Sequence, residues 1–347
     1  MLKRLLLVLM SLSIILVVVY MLGPKVDVPD LNGTYPTIPT RMADLEAYVS
    51  QKEDSVKFLK SDNEAKIVWF DSLNKSKTPY AIVYIHGFGA SEKEGDPVHR
   101  QLAAYFGANL YLSRLPEHGL ERPDSFRFLS SQRLAEAARE AYMIGKSLGD
   151  SVIIIGTSMG GALATLVASE RPDAKAVILY SPAIRDRNDQ LRQLFAPWGL
   201  DLFKFSIKNE DKVIFEKREG EKAKYWSEYY HVNAYVSLGT LLKAVMKPAT
   251  YQKIHQPYFL GYYYADETNQ DDVVSVPAML EMYEEVQTPE NLKVKIAYPE
   301  SKNHVIASRI TSEDWESVCE DTKNFLENIA GVSPKRNKVQ MDVNMMD

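Results

Sequence analysis

Ser158 stands in the run SVIIIGTSMGG, Ser151 to Gly161, where an apolar β-type segment ends in a GxSxG turn and leads directly into the helical pattern ALATLVAS. A serine placed between strand and helix in this way sits on a sharp turn with its hydroxyl held out at the top of a sheet, as a nucleophile of acyl transfer must be. Gly156 and Gly160 flank it because side chains there would collide with the adjoining strand and helix. Attack on a carbonyl creates an oxyanion, and backbone N–H groups are suited to stabilise it. With a nucleophile on such an elbow, one donor comes from the next residue, Met159, and another from the loop after an earlier strand. The strand-like run Ala81 to Ile85 ends in the loop HGFG, which makes Phe88 the second expected donor and His86 a brace of that loop.

The serine needs a base, and with this elbow the acid and then the histidine follow it in chain order. His231, His255 and His304 come after Ser158. His304 lies past the strand-like run Leu292 to Tyr298 and the polar turn PESKNH, ahead of a helix starting near Thr311, so it occupies a loop able to reach the nucleophile. His231, in the aromatic stretch WSEYYHVNAY, and His255, just before a strand, read as packing or surface residues. The acid is expected after the strand Pro257 to Tyr264, within ADETNQDDVVSV, where Asp266, Asp271 and Asp272 are the candidates. Its task is to accept a hydrogen bond from the far ring nitrogen of His304 and to stabilise the imidazolium.

These segments resemble the α/β hydrolase superfamily, and within it the serine esterases and lipases of the monoacylglycerol lipase and bacterial carboxylesterase type, over Ala65 to Ile329. The resemblance is carried by HGFG, GTSMGG, DDVV, NHV and the run LYLSRLPEHGLERP, with His118 and Gly119 in an HG loop. It implies that Asp271, in a turn similar to the DxVV turn that bears the acid in such enzymes, completes a triad with Ser158 and His304. Asp266 ranks second and Asp272 third, while His118 is a loop brace. It also implies a two-step cleavage of carboxylic esters through an acyl-enzyme. Peptidases and thioesterases use the same triad, and a non-catalytic binding protein of the same fold is the alternative from another class.

The elements that must position these residues recur along the chain. Strand patterns fall at Ala65 to Phe70, Ala81 to Ile85, Asn109 to Leu115, Ser151 to Ile155, Ala174 to Tyr180, Pro257 to Tyr264 and Leu292 to Tyr298, with helical patterns between most of them. Such alternation predicts an α/β fold, a mainly parallel sheet covered by helices on both faces. Residues 184–256, rich in Trp, Phe and Tyr, are too long for one crossover helix and are expected to form a helical cap over the site. The catalytic domain is expected over 41–331, followed by a polar tail, 332–347.

The amino-terminal stretch 1–25 is apolar from Leu5 to Leu22, the length of a bilayer-crossing helix, and bulky residues precede Gly23 and Pro24 where a cleavage site would need small ones. An uncleaved single-pass anchor follows, and Lys3 and Arg4 ahead of the span predict the enzyme on the extracytoplasmic side. Residues 26–40, rich in Pro, Asp and Gly, read as a spacer. The net charge of −5 with dispersed basic residues excludes a nucleic-acid surface. The single cysteine, Cys319, has no partner for an internal disulfide, and no Cys/His cluster has metal spacing, so no cofactor or metal is required. The expected partners are an ester substrate, small or lipid, and the membrane.

Overall fold

The computed structural model describes residues 2–335. Its strands are β1 (Lys66–Val68), β2 (Thr78–Ile85), β3 (Asn109–Leu112), β4 (Gly149–Thr157), β5 (Ala176–Tyr180), β6 (Val213–Phe215), β7 (Tyr229–His231), β8 (Tyr258–Tyr262) and β9 (Lys293–Ala297). The helices are α1 (Leu2–Met21), α2 (Met42–Asp54), α3 (Val98–Phe106), α4 (Ser131–Leu148), α5 (Met159–Glu170), α6 (Gly199–Ser206), α7 (Glu221–Tyr225), α8 (Val232–Val245), α9 (Pro248–Tyr251), α10 (Val276–Glu285) and α11 (Trp315–Asn328).

Seven strands form one sheet in the order β1-β3-β2-β4-β5-β8-β9. Only β1 is antiparallel to its neighbour; the other pairs are parallel, as crossover helices require. The central strands carry unbroken apolar runs, Ala81–Ile85 in β2, Val152–Ile155 in β4 and Ala176–Tyr180 in β5, because helices cover both faces there. Alternation sorts their side chains: Ala81, Val83, Ile85, Val152, Ile154, Val177 and Leu179 join a core with residues of α4 and α5, while Ile82, Tyr84, Ile153, Ile155, Ile178 and Tyr180 join one with residues of α3 and α11.

The chain runs from β2 outward to β3 and then returns to place β4 on the other side of β2. Strand order therefore reverses between β2 and β4, and open α/β sheets carry their ligand crevice beyond the carboxyl ends of the strands at such a reversal. The HGFG loop leaves β2 and the GTSMGG elbow leaves β4 at that end.

Between β5 and β8 lies the insertion expected as a helical cap. It holds a 3-10 turn (Leu191–Phe195), α6 and α7, and also a two-stranded antiparallel ribbon of β6 and β7, built from the short β-branched and aromatic runs VIF and YYH. Its later part, α8, lies against the body: Thr240 Oγ1 meets Ser131 Oγ of α4 at 3.1 Å, and Ala234, Leu241, Leu242 and Val245 are buried in the core that includes α4 and α5.

Helix α1 buries none of its residues and, with a mean hydropathy of 2.5, is long and apolar enough to cross a membrane. Its carboxyl end meets the insertion, where Trp198 donates from Nε1 to Val19 O at 3.2 Å and from its backbone N to Pro24 O at 2.8 Å. Of the tail expected at 332–347, residues 336–347 lie outside the described part of the chain.

Candidate active site

The elbow at Ser158 is a strained turn. Ser158 adopts φ 54° and ψ −119°, a region that L residues with a side chain seldom occupy, and its N–H donates to Tyr180 O at 3.0 Å. The close approach of β2 to the elbow explains the glycine at position 160: a Cβ there would lie 2.0 Å from Ile85 O. At position 156 it would lie 2.4 Å from Gly160 O. Each clash is with backbone, so neither site can yield by a side-chain rotation.

His304 and Asp271 come together from loops that follow different strands. His304 Nδ1 lies 2.7 Å from Asp271 Oδ2, and the other carboxylate oxygen accepts from the N–H groups of Val273 and Val274, each at 2.9 Å. Asp271 is fully buried, and the turn that its carboxylate closes fixes its orientation. The remaining ring nitrogen of His304, Nε2, is buried without a hydrogen-bond partner among the described residues. Burial disfavours the charged ring, but the Asp271 carboxylate beside it more than compensates and holds the His304 pKa above the ordinary histidine value.

Ser158 and His304 line the same cavity, of about 1140 Å³, under the insertion. Leu191, Leu194, Leu202, Phe203, Leu238 and Leu242 give it an apolar wall. Phe88 also lines it; the Phe88 ring packs between Phe126, Tyr230 and Tyr235, while its N–H donates to no protein atom among the described residues. Met159 is the first residue of α5, where a helix leaves its N–H groups unpaired. His86 and His118 sit fully buried behind the loop, their rings 5.0 Å apart. His86 Nε2 accepts from Leu115 N at 3.1 Å, and burial depresses its pKa to about 4, so it is a neutral brace.

The other candidates lie elsewhere. Asp266 is exposed and spends its carboxylate on the N–H groups of Thr268 and Asn269. Asp272 lines the cavity but is exposed and makes no hydrogen bond to His304. His231 caps α8 by accepting from Asn233 N, and His255 is exposed before β8. Glu92, Asp96 and His99 bring possible metal-ligand atoms within 4.8 Å of one another. Those carboxylates already pair with Arg100 at 3.0 and 3.1 Å and with Lys93 at 3.3 and 3.4 Å, so the cluster is a charge-compensated network without need of a cation.

One buried acid in the cavity is not among the residues expected from the sequence. Glu94, 2% exposed, lies beside Ser158 and His304 and accepts from Gly87 N. In sequence it belongs to the polar run SEKEGD, which reads as a solvated loop, and only its nearness to HGFG hints at the site.

Residues 82–305 match the alpha/beta hydrolase family, and the chain belongs to it. No curated protein matches it by sequence. Among solved structures it is similar to a metagenome-derived lipolytic enzyme described with LipS and LipT, at 17% identity and a TM-score of 0.60, over 78% of this chain and 99% of that one. A monoacylglycerol lipase of Paleococcus ferrophilus is similar at 16% identity and a TM-score of 0.54, covering 78% of this chain and all (100%) of its own. A soluble variant of the monoglyceride lipase of Saccharomyces cerevisiae is similar at 15% identity and a TM-score of 0.56, over 76% and 91% of the two chains.

Proposed function

We propose that this chain is a serine hydrolase that cleaves carboxylic esters of apolar acyl chains through an acyl-enzyme on Ser158. The observation that carries the reading is the strained serine at the strand-to-helix elbow sharing a cavity with a histidine whose outer nitrogen is free and whose inner nitrogen is held by a buried aspartate. His304 takes the Ser158 proton as Oγ attacks the ester carbonyl; the N–H groups of Phe88 and Met159 receive the oxyanion; the alcohol leaves with the proton from His304. Water, deprotonated by the same histidine, then releases the acid. Asp271 orients the ring and stabilises its charged form.

The lipolytic and monoacylglycerol-cleaving neighbours support an ester as substrate, and the leucine-rich wall supports an acyl chain longer than acetyl. Helix α1 ends beside the insertion, and its Tyr20 lines the cavity, which favours an ester drawn from the membrane that α1 would span. With Lys3 and Arg4 ahead of α1 the catalytic domain, 41–331, faces the extracytoplasmic side. Hydrolysis of a chain-length series of nitrophenyl esters by the full chain in detergent, beside Ser158→Ala, tests this. Turnover confined to the serine-bearing protein and rising with acyl length supports it. Equal rates on acetyl and longer esters remove the apolar-chain element, and unchanged turnover in Ser158→Ala removes the serine mechanism.

A further inference from the structure

Glu94 lies on a 3-10 turn, Glu92–Gly95, two residues past the HGFG loop. The network of Glu92 with His99, Arg100 and Lys93 pins that turn, so the position of the neighbouring side chain is set by a rigid scaffold. A Cβ built on Gly87 would meet the two Glu94 oxygens at 2.8 and 2.9 Å and Ser158 Cβ at 3.0 Å. The carboxyl group and the nucleophile therefore converge on one point of backbone, immediately before Phe88, whose N–H is the expected oxyanion donor. Position 87 must be glycine to admit both.

The bonding of this carboxyl is unusual for a buried acid. Among the described residues no lysine, arginine or histidine forms an ion pair with it, and Gly87 N is its sole hydrogen-bond donor, to Oε2. The other oxygen has no protein partner, and the residue lines the substrate cavity. The titratable groups that feel its charge are His304 from the loop after β9, Tyr230 from β7 and Tyr84 from β2, while Glu92 shares its turn. Glu92 is neutralised by its own cations, and Tyr230 is hydrogen-bonded to Arg218 at 3.4 Å and to Ser227 O.

We propose that Glu94 is a further catalytic residue of the site, a carboxylic acid held neutral beside the oxyanion loop, whose free O–H donates a hydrogen bond to the carbonyl oxygen that becomes negative as Ser158 attacks. The inference rests on the Ser158 reading above. The role requires the protonated form: a carboxylate beside the developing charge would oppose the reaction, whereas a neutral acid adds a donor where charge appears. Burial supports it, pushing the Glu94 pKa up to about 8 against the opposing effects of the Gly87 hydrogen bond and His304. The acid is consequently lost as pH rises through that value, and nucleophilic attack slows with it.

The test needs no natural substrate. A fluorophosphonate probe phosphonylates an activated serine: His304 takes the Ser158 proton, the Ser158 oxygen–phosphorus bond forms, the phosphorus–fluorine bond breaks with fluoride expelled, and the phosphoryl oxygen lodges where the oxyanion would be. Its second-order labelling rate is measured from pH 6 to pH 10 on the full chain in detergent, for wild type, Glu94→Gln, Glu94→Met and Ser158→Ala, with thermal unfolding as the folding control. Gln reproduces the neutral acid, with one oxygen for Gly87 N and an N–H directed into the cavity. The expected result is a wild-type rate that falls above pH 8, a loss of ten-fold or more in Glu94→Met, and substantial rescue in Glu94→Gln without the alkaline fall. Superimposable alkaline limbs in wild type and Glu94→Gln would overturn the proposal while leaving Ser158 in place, as would a Gln variant as slow as the Met variant. Should Glu94→Met fail to fold, the comparison of wild type with Glu94→Gln decides alone. Absence of labelling in wild type, or labelling retained in Ser158→Ala, removes the serine reading and the Glu94 proposal with it.

Discussion

A buried aspartate is bonded to one nitrogen of His304, and the nitrogen on the other side of the ring has no partner among the described residues, so in the proposed mechanism Asp271 orients the ring while the free nitrogen works on Ser158. Ser158→Ala is expected to abolish ester hydrolysis. Asp271→Asn should lower kcat roughly ten-thousand-fold, since the ring would lose its orientation and tautomer. Asp266→Asn and Asp272→Asn should remain within a few-fold of wild type in the same assay, because neither carboxylate is bonded to His304. In the proposed mechanism the neutral ring is the base, and its pKa lies above the usual histidine value, so kcat/KM should rise with pH through that raised value. A residual-activity profile of Asp271→Asn should show the acid limb moved to lower pH, as only burial, which lowers the pKa, then remains dominant. Stability provides an independent readout at Glu94. Its folded pKa of about 8 exceeds the ordinary carboxyl value, so its contribution is present at acid pH and is lost as pH rises toward 8. The melting temperature of Glu94→Gln should therefore gain on that of wild type between pH 5 and pH 8. The elbow at Ser158 was legible in local sequence because a strand, a tight turn and a helix leave a pattern within a few residues, and the loop position of His304 was legible from the strand-like run before it. Glu94 was not legible: it is buried against Gly87 and Ser158, a placement that no run of neighbours in SEKEGD records.

Elements position the site through backbone contact. The elbow after β4 and the loop after β2 approach so closely that a methyl group on residue 160 would lie 2.0 Å from Ile85 O and 2.6 Å from His86 O. Gly160→Ala is expected to cost more than about 2 kcal/mol, the upper range of overpacking, because neither neighbour is a flexible side chain. Thermal unfolding measures that loss, and a drop in kcat larger than the rise in KM would show that the oxyanion loop has moved away from the nucleophile. The central strands of the large sheet were recognisable since buried parallel strands carry near-continuous apolar runs. Within the insertion the reading was coarser. Its aromatic content indicated a packed lid, but the short segments VIF and YYH become strands only by pairing with each other, and α8 joins the body through contacts with α4 and α5.

At the scale of the whole molecule, α1 and the insertion meet at Trp198, which holds the carbonyl oxygens of Val19 and Pro24. This places the exit of the apolar helix beside a cavity that Tyr20 helps to line. The exposed side chains Leu202 and Phe205 of α6 lie on the same insertion. Trp198→Ala removes the side-chain bond to Val19 and should loosen the insertion from the helix end. Turnover of a long-chain ester presented in phospholipid vesicles should then fall several-fold relative to turnover of a short, water-soluble ester by the same protein. An equal change on both substrates would show that the contact has no part in delivery from a membrane.

By itself the sequence determined the alternation of buried strands and helices, the strand-turn-helix elbow at Ser158, and an amino-terminal helix apolar enough to span a bilayer. Each of these is written in composition and spacing over a few neighbouring residues. Tertiary structure decided which aspartate is bonded to His304, which part of the insertion covers the cavity and which lies on the body, and that Glu94 stands beside the nucleophile. Those depend on burial and on distances between segments far apart in the chain, and such distances are set only when the sheet closes and its loops gather at the reversal of strand order between β2 and β4.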